Sequence, residues 1–437
     1  MTTTFFAPTR RDVLAGLGAS AAGLIAGGAT SAATARLALQ ARPATLALRS
    51  AQPATPIWEL AALNPGGDVR LKRGERCEVT LRNDLPVPVA PAWYGLDGAS
   101  AAEPLLAGST VTSGGTETSI LSMPHAGILM ADLRLLDDGL NQPVRPLPII
   151  VQESEPSEVD RDEPFLVEDW RLAPDGTALL PGAAGGEIAP VFTVNGKIAP
   201  DFTLRANERL RLRMINGCQR AVIAVKFEGA DVLVMALDGQ PAEPFTARNG
   251  ALVLAPGGRA DVFLDGTTAP GSTAPILLHD GKEARPIARL LMSAEPPLRP
   301  SRLSPPAPLP SNGLPANLDL GGALRFDVAL GLTGWVRPSS FSASAAPAFR
   351  AKAGRTVVLA LKNIAAIATV FHLHGHHFRL LDRLDDGWKP YWLDTLAIEP
   401  GQTQRIAFAT STPGRWLIES VATDWAAPRL VRWYAVE

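Results

Sequence analysis

A chain of 437 residues is too long for one ordinary core and implies two or three domains. With 46% hydrophobic, 6% aromatic and 19% charged residues it is globular, neither disordered nor fibrous. The formal net charge of −2 supplies no basic stripe for nucleic acid and nothing that steers the protein to an anionic membrane.

The first residues carry an address. Thr9-Arg10-Arg11-Asp12-Val13-Leu14 precedes a mildly apolar run from Leu14 to Ala29 and then Ala33-Thr34-Ala35. A charged start, a short apolar stretch and a small-residue cleavage site predict a signal peptide over residues 1–35, cut after Ala35, and a periplasmic mature protein. The paired arginines resemble a twin-arginine signal, with an ordinary secretory signal as the alternative. No later segment offers 18 uninterrupted apolar residues, so no transmembrane segment is expected in the mature chain.

Strands dominate the mature chain. Arg76-Cys-Glu-Val-Thr-Leu-Arg82, Glu208-Arg-Leu-Arg-Leu-Arg-Met214 and Arg355-Thr-Val-Val-Leu-Ala-Leu361 carry apolar residues at period two, and no extended helical stripe interrupts them. Each run ends in an asparagine, Asn83, Asn216 and Asn363, at spacings of about 130 to 150 residues. The economical explanation is three copies of one all-β domain. Ser154 to Glu163 is charged and lacks apolar period, and Glu295 to Pro315 is proline-rich, so both read as connectors. Domains over residues 36–153, 160–295 and 317–437 result, each the size of a β-sandwich. The two cysteines, Cys77 and Cys218, fall in different domains and read as buried small hydrophobes.

Late in the chain, Phe371-His-Leu-His-Gly-His-His-Phe378 is followed by Asp394-Thr395, Glu399-Pro400-Gly401 and Thr412-Pro-Gly-Arg-Trp416. This series resembles the third domain of multicopper oxidases. Arg82-Asn-Asp-Leu85 and Ala92-Trp-Tyr-Gly95 are similar to the family's first domain, and Val194-Asn-Gly196 with Ala236-Leu-Asp-Gly239 to its second. The resemblance covers the whole mature chain in order and implies three consecutive cupredoxin-like Greek-key β-sandwich domains.

It also implies a comparison of ligands. The family holds a type 1 copper with one cysteine and two histidines, and a trinuclear cluster with eight histidines, whereas this chain has six histidines in total. The family's His-Trp-His-Gly stands here as Ala92-Trp93-Tyr94-Gly95. After the turn Pro124-His-Ala-Gly127, Asp132 and Arg134 occupy the next ligand positions. In the third domain the first type 1 histidine is Thr369, the family's His-Cys-His-Ile-x-x-His runs from Glu419 through Ser420 to Trp425, and the axial methionine falls on Leu430. Only His372 and His374 match family ligands.

Several features admit two readings. Residues two apart share a strand face, so His372, His374 and His376 can project together as a mononuclear copper or zinc site, or pack and hydrogen-bond as relics. Asp132 and Arg134 share a strand face by the same alternation, and either line a polar pocket opposite Tyr94 and His372 or close the cavity as an ion pair. Cys218 has no flanking histidine and reads as core or loop rather than a displaced ligand. Asp385-Asp386-Gly387 between two apolar strands reads as a hairpin turn.

The expectation is therefore an exported cell-envelope binding or scaffold protein without catalysis. It is similar in kind to the copper-free, twin-arginine-exported cell-division branch of this fold in Gram-negative bacteria. It has an unidentified protein partner and no expected cofactor beyond copper at a substoichiometric or mononuclear level. The alternative is a copper-binding oxidoreductase using the residual histidines.

Overall fold

Alternation explains the strands at the level of single side chains. Arg76–Asn83 buries Cys77, Val79 and Leu81 on one face and turns Arg76 and Arg82 outward. Arg209–Asn216 has the same pattern but is buried on both faces. Leu210, Leu212 and Met214 enter the core of their sandwich. The opposite face is closed by charge, with Arg209 bound to Asp265 at 2.7 Å, Arg211 to Glu153 at 2.7 Å and to Asp261, and Arg213 to Asp162 at 2.7 Å. Buried guanidinium groups persist only where such carboxylates meet them.

The computed structural model describes residues 34–63, 67–182, 187–331, 334–382, 387 and 389–437. The proposed leader up to residue 33, and Asp385 and Asp386 of the expected hairpin turn, lie outside the described residues. Among those described, the strands form six sheets, two in each of three consecutive segments. The same triplet opens each segment. Ala35–Leu46 runs parallel to Arg76–Asn83, Arg161–Trp170 to Arg209–Asn216, and Leu324–Leu330 to Thr356–Asn363. The second member then pairs antiparallel with Thr116–Ser122, Arg259–Asp265 and Thr403–Ala409 respectively. Each segment is therefore a two-sheet sandwich around its own apolar core. Cys77 and Cys218 are free thiols in two of those cores, and burial pushes the Cys77 thiol up to about 11.

The repeated asparagine has one job in all three copies. Asn83 Nδ2 donates to the carbonyls of Val87 at 2.8 Å and Val111 at 2.9 Å, while its Oδ1 accepts the Leu85 N–H at 3.0 Å. Asn216 holds Ala221 at 2.9 Å, Leu254 at 2.8 Å and the Cys218 N–H at 3.0 Å. Asn363 holds Ile367 and Ile398 at 2.8 Å each and the Ala365 N–H at 3.0 Å. A buried amide with one acceptor and two donors in use replaces the ladder bonds lost where the strand ends.

The sandwiches meet along a shared apolar seam that includes Tyr94, Ile128, Leu166, Ile215, Leu417 and Trp433. Arg259 of the second sandwich is fully buried at the joint. It donates to the Ile128 carbonyl of the first sandwich at 3.1 Å, to the Gly257 and Asp238 carbonyls at 2.7 and 3.1 Å, and to Asp394 of the third at 2.5 Å. The proline-rich connector has no helix or strand between residues 293 and 323, yet it is tied down. Asn312 brackets Ala126, accepting its N–H at 2.9 Å and donating to its carbonyl at 2.8 Å, and also donates to Gln240 Oε1 at 3.0 Å. Among the described residues no helix is long and apolar enough to cross a membrane.

Candidate functional site

His372 and His374 leave the strand Thr369–Leu373 toward the joint of the first and third sandwiches. That strand lies between Thr395–Ile398 and Gly414–Ala422, with His372 opposite both Thr395 and Glu419. Thr395 gives its single hydroxyl hydrogen to Asp394 Oδ1 at 2.8 Å, so at 2.9 Å it can only accept from His372 Nδ1–H. The second nitrogen of His372 then carries a lone pair. Burial holds this imidazole neutral by pushing its pKa down to about 4.

His374 is committed at both nitrogens. Its Nδ1–H meets Glu103 Oε1 at 2.9 Å and its Nε2–H meets Glu419 Oε1 at 2.7 Å. Burial opposes charge on the ring, but the two carboxylates outweigh it and push the pKa up to about 10. Glu419 Oε1 also accepts the Tyr94 hydroxyl at 2.7 Å, and its Oε2 is bound by Arg429. Glu103 Oε1 accepts the Leu417 N–H at 2.9 Å. Burial works against the Glu419 charge, yet Arg429 and then His374 hold this carboxyl well below the usual range. Glu103, Glu419, His374 and Arg429 thus form a buried set of two negative and two positive groups with Tyr94 as a further donor.

Asp132 ends the strand Gly127–Asp132, and Arg134 begins a short 3₁₀ turn, so the two do not share a strand face as alternation predicts. The chain bends between them and closes a pair. Asp132 Oδ2 accepts from Arg134 Nε at 2.8 Å and Nη2 at 2.7 Å, and Arg134 Nη1 donates to the Gly217 carbonyl at 2.7 Å. Of the two readings, the closed ion pair describes the geometry. The space left among Tyr94, His372, His374 and Asp394 is about 10 Å³, at the lower limit for a single water molecule.

The structure does not bring His372, His374 and His376 together. Gly375 adopts φ +73° and sits so close to Trp416 that a Cβ would lie 2.1 Å from the indole. The chain turns there, which breaks the two-residue alternation and sends His376 into the third core, against Trp416 at 5.3 Å and Phe408 at 5.5 Å between ring centroids. Tyr434 gives its hydroxyl hydrogen to the His374 carbonyl at 2.7 Å, so His376 Nδ1–H donates to Tyr434 at 2.7 Å and its buried Nε2 is left without a partner. The neighbouring His377 faces the first sandwich instead, with Nδ1 at 2.9 Å from Asp97.

The multicopper oxidase family description matches residues 162–272 and again residues 319–437, together more than half of the sequence. The chain belongs to the multicopper oxidase family. The multicopper oxidase MmcO of Mycobacterium tuberculosis is 25% identical over 417 residues, covering 81% of this chain and 78% of that protein. Among solved structures, a multi-copper oxidase from Pseudomonas thermotolerans superimposes with TM-score 0.78 at 25% identity, covering 93% of this chain and all (100%) of the other. Lac15 from a marine microbial metagenome gives TM-score 0.74 at 26% identity over 92% of this chain and 100% of that one.

At the positions that the sequence resemblance assigns to the family's cluster, the chain carries Tyr94, Asp132, Arg134 and Glu419 beside His372 and His374. At the type 1 positions, Thr369 is buried and its hydroxyl donates to Asn363 Oδ1 at 3.3 Å, Ser420 lies opposite Leu430, and Trp425 is covered by the Arg171 guanidinium at 4.5 Å. Glu103 and Asp97 are two carboxylates of this region that the sequence did not announce. Glu103 acts on Leu417, 314 positions away, and Asp97 on His377, 280 positions away, and no local spacing encodes either contact.

Proposed function

We propose that this chain is an exported, non-catalytic binding or scaffold protein of the cell envelope, built on the multicopper oxidase frame without its copper chemistry. One observation carries the reading. Where the frame would hold three metal ions, Glu103, Glu419, His374, Arg429 and Tyr94 satisfy one another, and about 10 Å³ remains. Copper coordination at His374 would require deprotonating a ring held at about 10 and breaking one of its two carboxylate bonds. At the type 1 position, two hydroxyls, an indole and an alkyl chain offer neither a thiolate nor an imidazole, so a blue copper does not fit this donor set.

The scaffold half of the reading rests on rigidity. Three sandwiches locked by Arg259, Asn312 and a common apolar seam form a platform that needs no metal, and their loops can be shaped for a partner. An open cleft of about 900 Å³ beside Asp169, Arg171, Arg220, Arg285 and Trp425 offers such a surface, mixed in charge. The paired Arg10 and Arg11 ahead of an apolar run support periplasmic delivery by twin-arginine export.

The test is spectroscopic and kinetic. Protein isolated from the periplasm and then incubated with copper is expected to show no intense blue thiolate band and no oxygen consumption with a phenolic substrate. A blue band at stoichiometric copper, or turnover above the free-copper background, would overturn the proposal.

A further inference from the structure

Away from the family's ligand positions, three donors converge where all three sandwiches touch. Asp97 follows the strand Ala92–Tyr94 of the first sandwich, His125 sits in the turn before Gly127–Asp132, and His377 comes from the third sandwich. Asp97 Oδ1 lies 2.9 Å from His377 Nδ1, Asp97 Oδ2 lies 3.5 Å from His125 Nδ1, and one ligand atom from each residue falls within 4.8 Å of the others. Bonds of about 2.0–2.2 Å from zinc to nitrogen or oxygen in a tetrahedron place ligand atoms roughly 3.3 Å apart, so the two Asp97 spacings already fit and the two histidines need close by at most about 1.5 Å. We propose that Asp97, His125 and His377 form a mononuclear site for a divalent metal of the zinc type, with the fourth position left to water.

The surroundings are those a metal-binding imidazole requires. The far nitrogen of His377 lies 3.0 Å from the Asp238 carbonyl and 3.7 Å from Asp394 Oδ2, so its Nε2–H is spent on an outer partner and Nδ1 can face the metal. Gln240 fixes the other ring. Its Oε1 accepts from Asn312 at 3.0 Å, which leaves its amide N–H groups to donate to His125 Nδ1 at 3.0 Å, so that nitrogen carries a lone pair and a metal bound there takes the place of this one hydrogen bond. The same Nε2 lies 3.5 Å from His377 Nε2. The His125 side chain is 13% exposed and the Asp97 side chain 11%, whereas His377 is closed off, so an ion enters from the His125 side. Without the ion His377 Nδ1–H donates to Asp97, so binding releases that proton; the two imidazoles, then neutral, and one carboxylate leave a bound dication with a net charge of +1, with Asp394 Oδ2 as an outer carboxylate 3.7 Å from His377 Nε2. Because the ligands come from the first and third sandwiches, occupancy would staple them together. The proposal is independent of the copper reading, since none of its ligands stands at a copper position.

The test is equilibrium dialysis of the intact mature protein against Zn²⁺, followed by metal analysis, with a thermal scan on the same samples. One Zn²⁺ per chain and a raised melting temperature are expected for the parent protein. In His125→Ala affinity should fall at least tenfold, and the rise in melting temperature on adding metal should vanish whatever the metal-free melting temperature of the variant. His372→Gln should bind like the parent. Co²⁺ should give the intense visible bands of four-coordinate geometry in the parent and lose them in His125→Ala. No stoichiometric Zn²⁺ in the parent, or equal binding in His125→Ala, overturns the site. Loss of binding in His372→Gln with retention in His125→Ala moves the metal to the other pocket and also overturns it.

Discussion

Replacing Glu419 by glutamine asks whether charge holds the centre of the molecule together. The amide keeps the shape of the side chain but removes the negative charge that faces His374 and Arg429 at once. An uncompensated guanidinium then lies in a site where Glu419 itself is fully buried. Removing one member of such a buried pair costs about 3–5 kcal/mol. Unfolding entropy near 2.1 cal/mol/K per residue comes to roughly 0.85 kcal/mol/K over residues 34–437, so melting should drop by about 4–6 °C if the whole unit unfolds together. It should drop further if the third sandwich melts alone. The pH profile supplies a second readout. An imidazole raised from 6.5 to about 10 by folding contributes stability that is fully present below pH 6.5 and disappears as pH climbs toward 10, on the order of 5 kcal/mol in total. Glu419 has the opposite sign, since its lowered pKa contributes above pH 4.5 and is lost as acid protonates it. The variant should therefore show a flatter loss of stability between pH 6.5 and 10 than the parent in calorimetric scans. A melting temperature within 1 °C of the parent, with an unchanged alkaline slope, would refute the reasoning.

Arg259→Met should cost about 3–5 kcal/mol, because Asp394 loses its buried guanidinium and the Ile128 carbonyl its donor across the joint. Calorimetry should then resolve separate transitions where a single one is expected for the parent, and a single unshifted transition in the variant would deny Arg259 its coupling role. Arg10→Lys combined with Arg11→Lys should block export, since lysine is a poor substitute for paired guanidinium groups. Fractionation with undiminished periplasmic protein would assign the leader to the ordinary secretory route.

The parts of the architecture written in local pattern could be read directly. Period-two runs ending in Asn83, Asn216 and Asn363 marked equivalent strands because each asparagine closes the same turn within its own sandwich. The residue types at the expected ligand positions were equally plain to read, although which contacts they make was not. What alternation cannot convey is where a strand stops. Asp132 and Arg134 looked like neighbours on one face, and His376 like a partner of His374, until a 3₁₀ turn and the positive φ of Gly375 redirected them. The partners of the surviving histidines were hidden for another reason. Glu103, Asp97 and Gln240 lie in other sandwiches, and nothing in their immediate sequence separates them from ordinary loop residues.

The threefold asparagine clasp turns this molecule into its own control experiment. Asn83, Asn216 and Asn363 make the same three bonds at lengths that agree to within 0.1 Å, in cores of different composition. An alteration at one of them can be judged against two untouched copies in the same chain, under the same solvent, temperature and concentration. Differences in amide exchange at Leu85, Cys218 and Ala365, the residues whose N–H groups the clasps receive, would then report how firmly each sandwich is held without reference to any other protein.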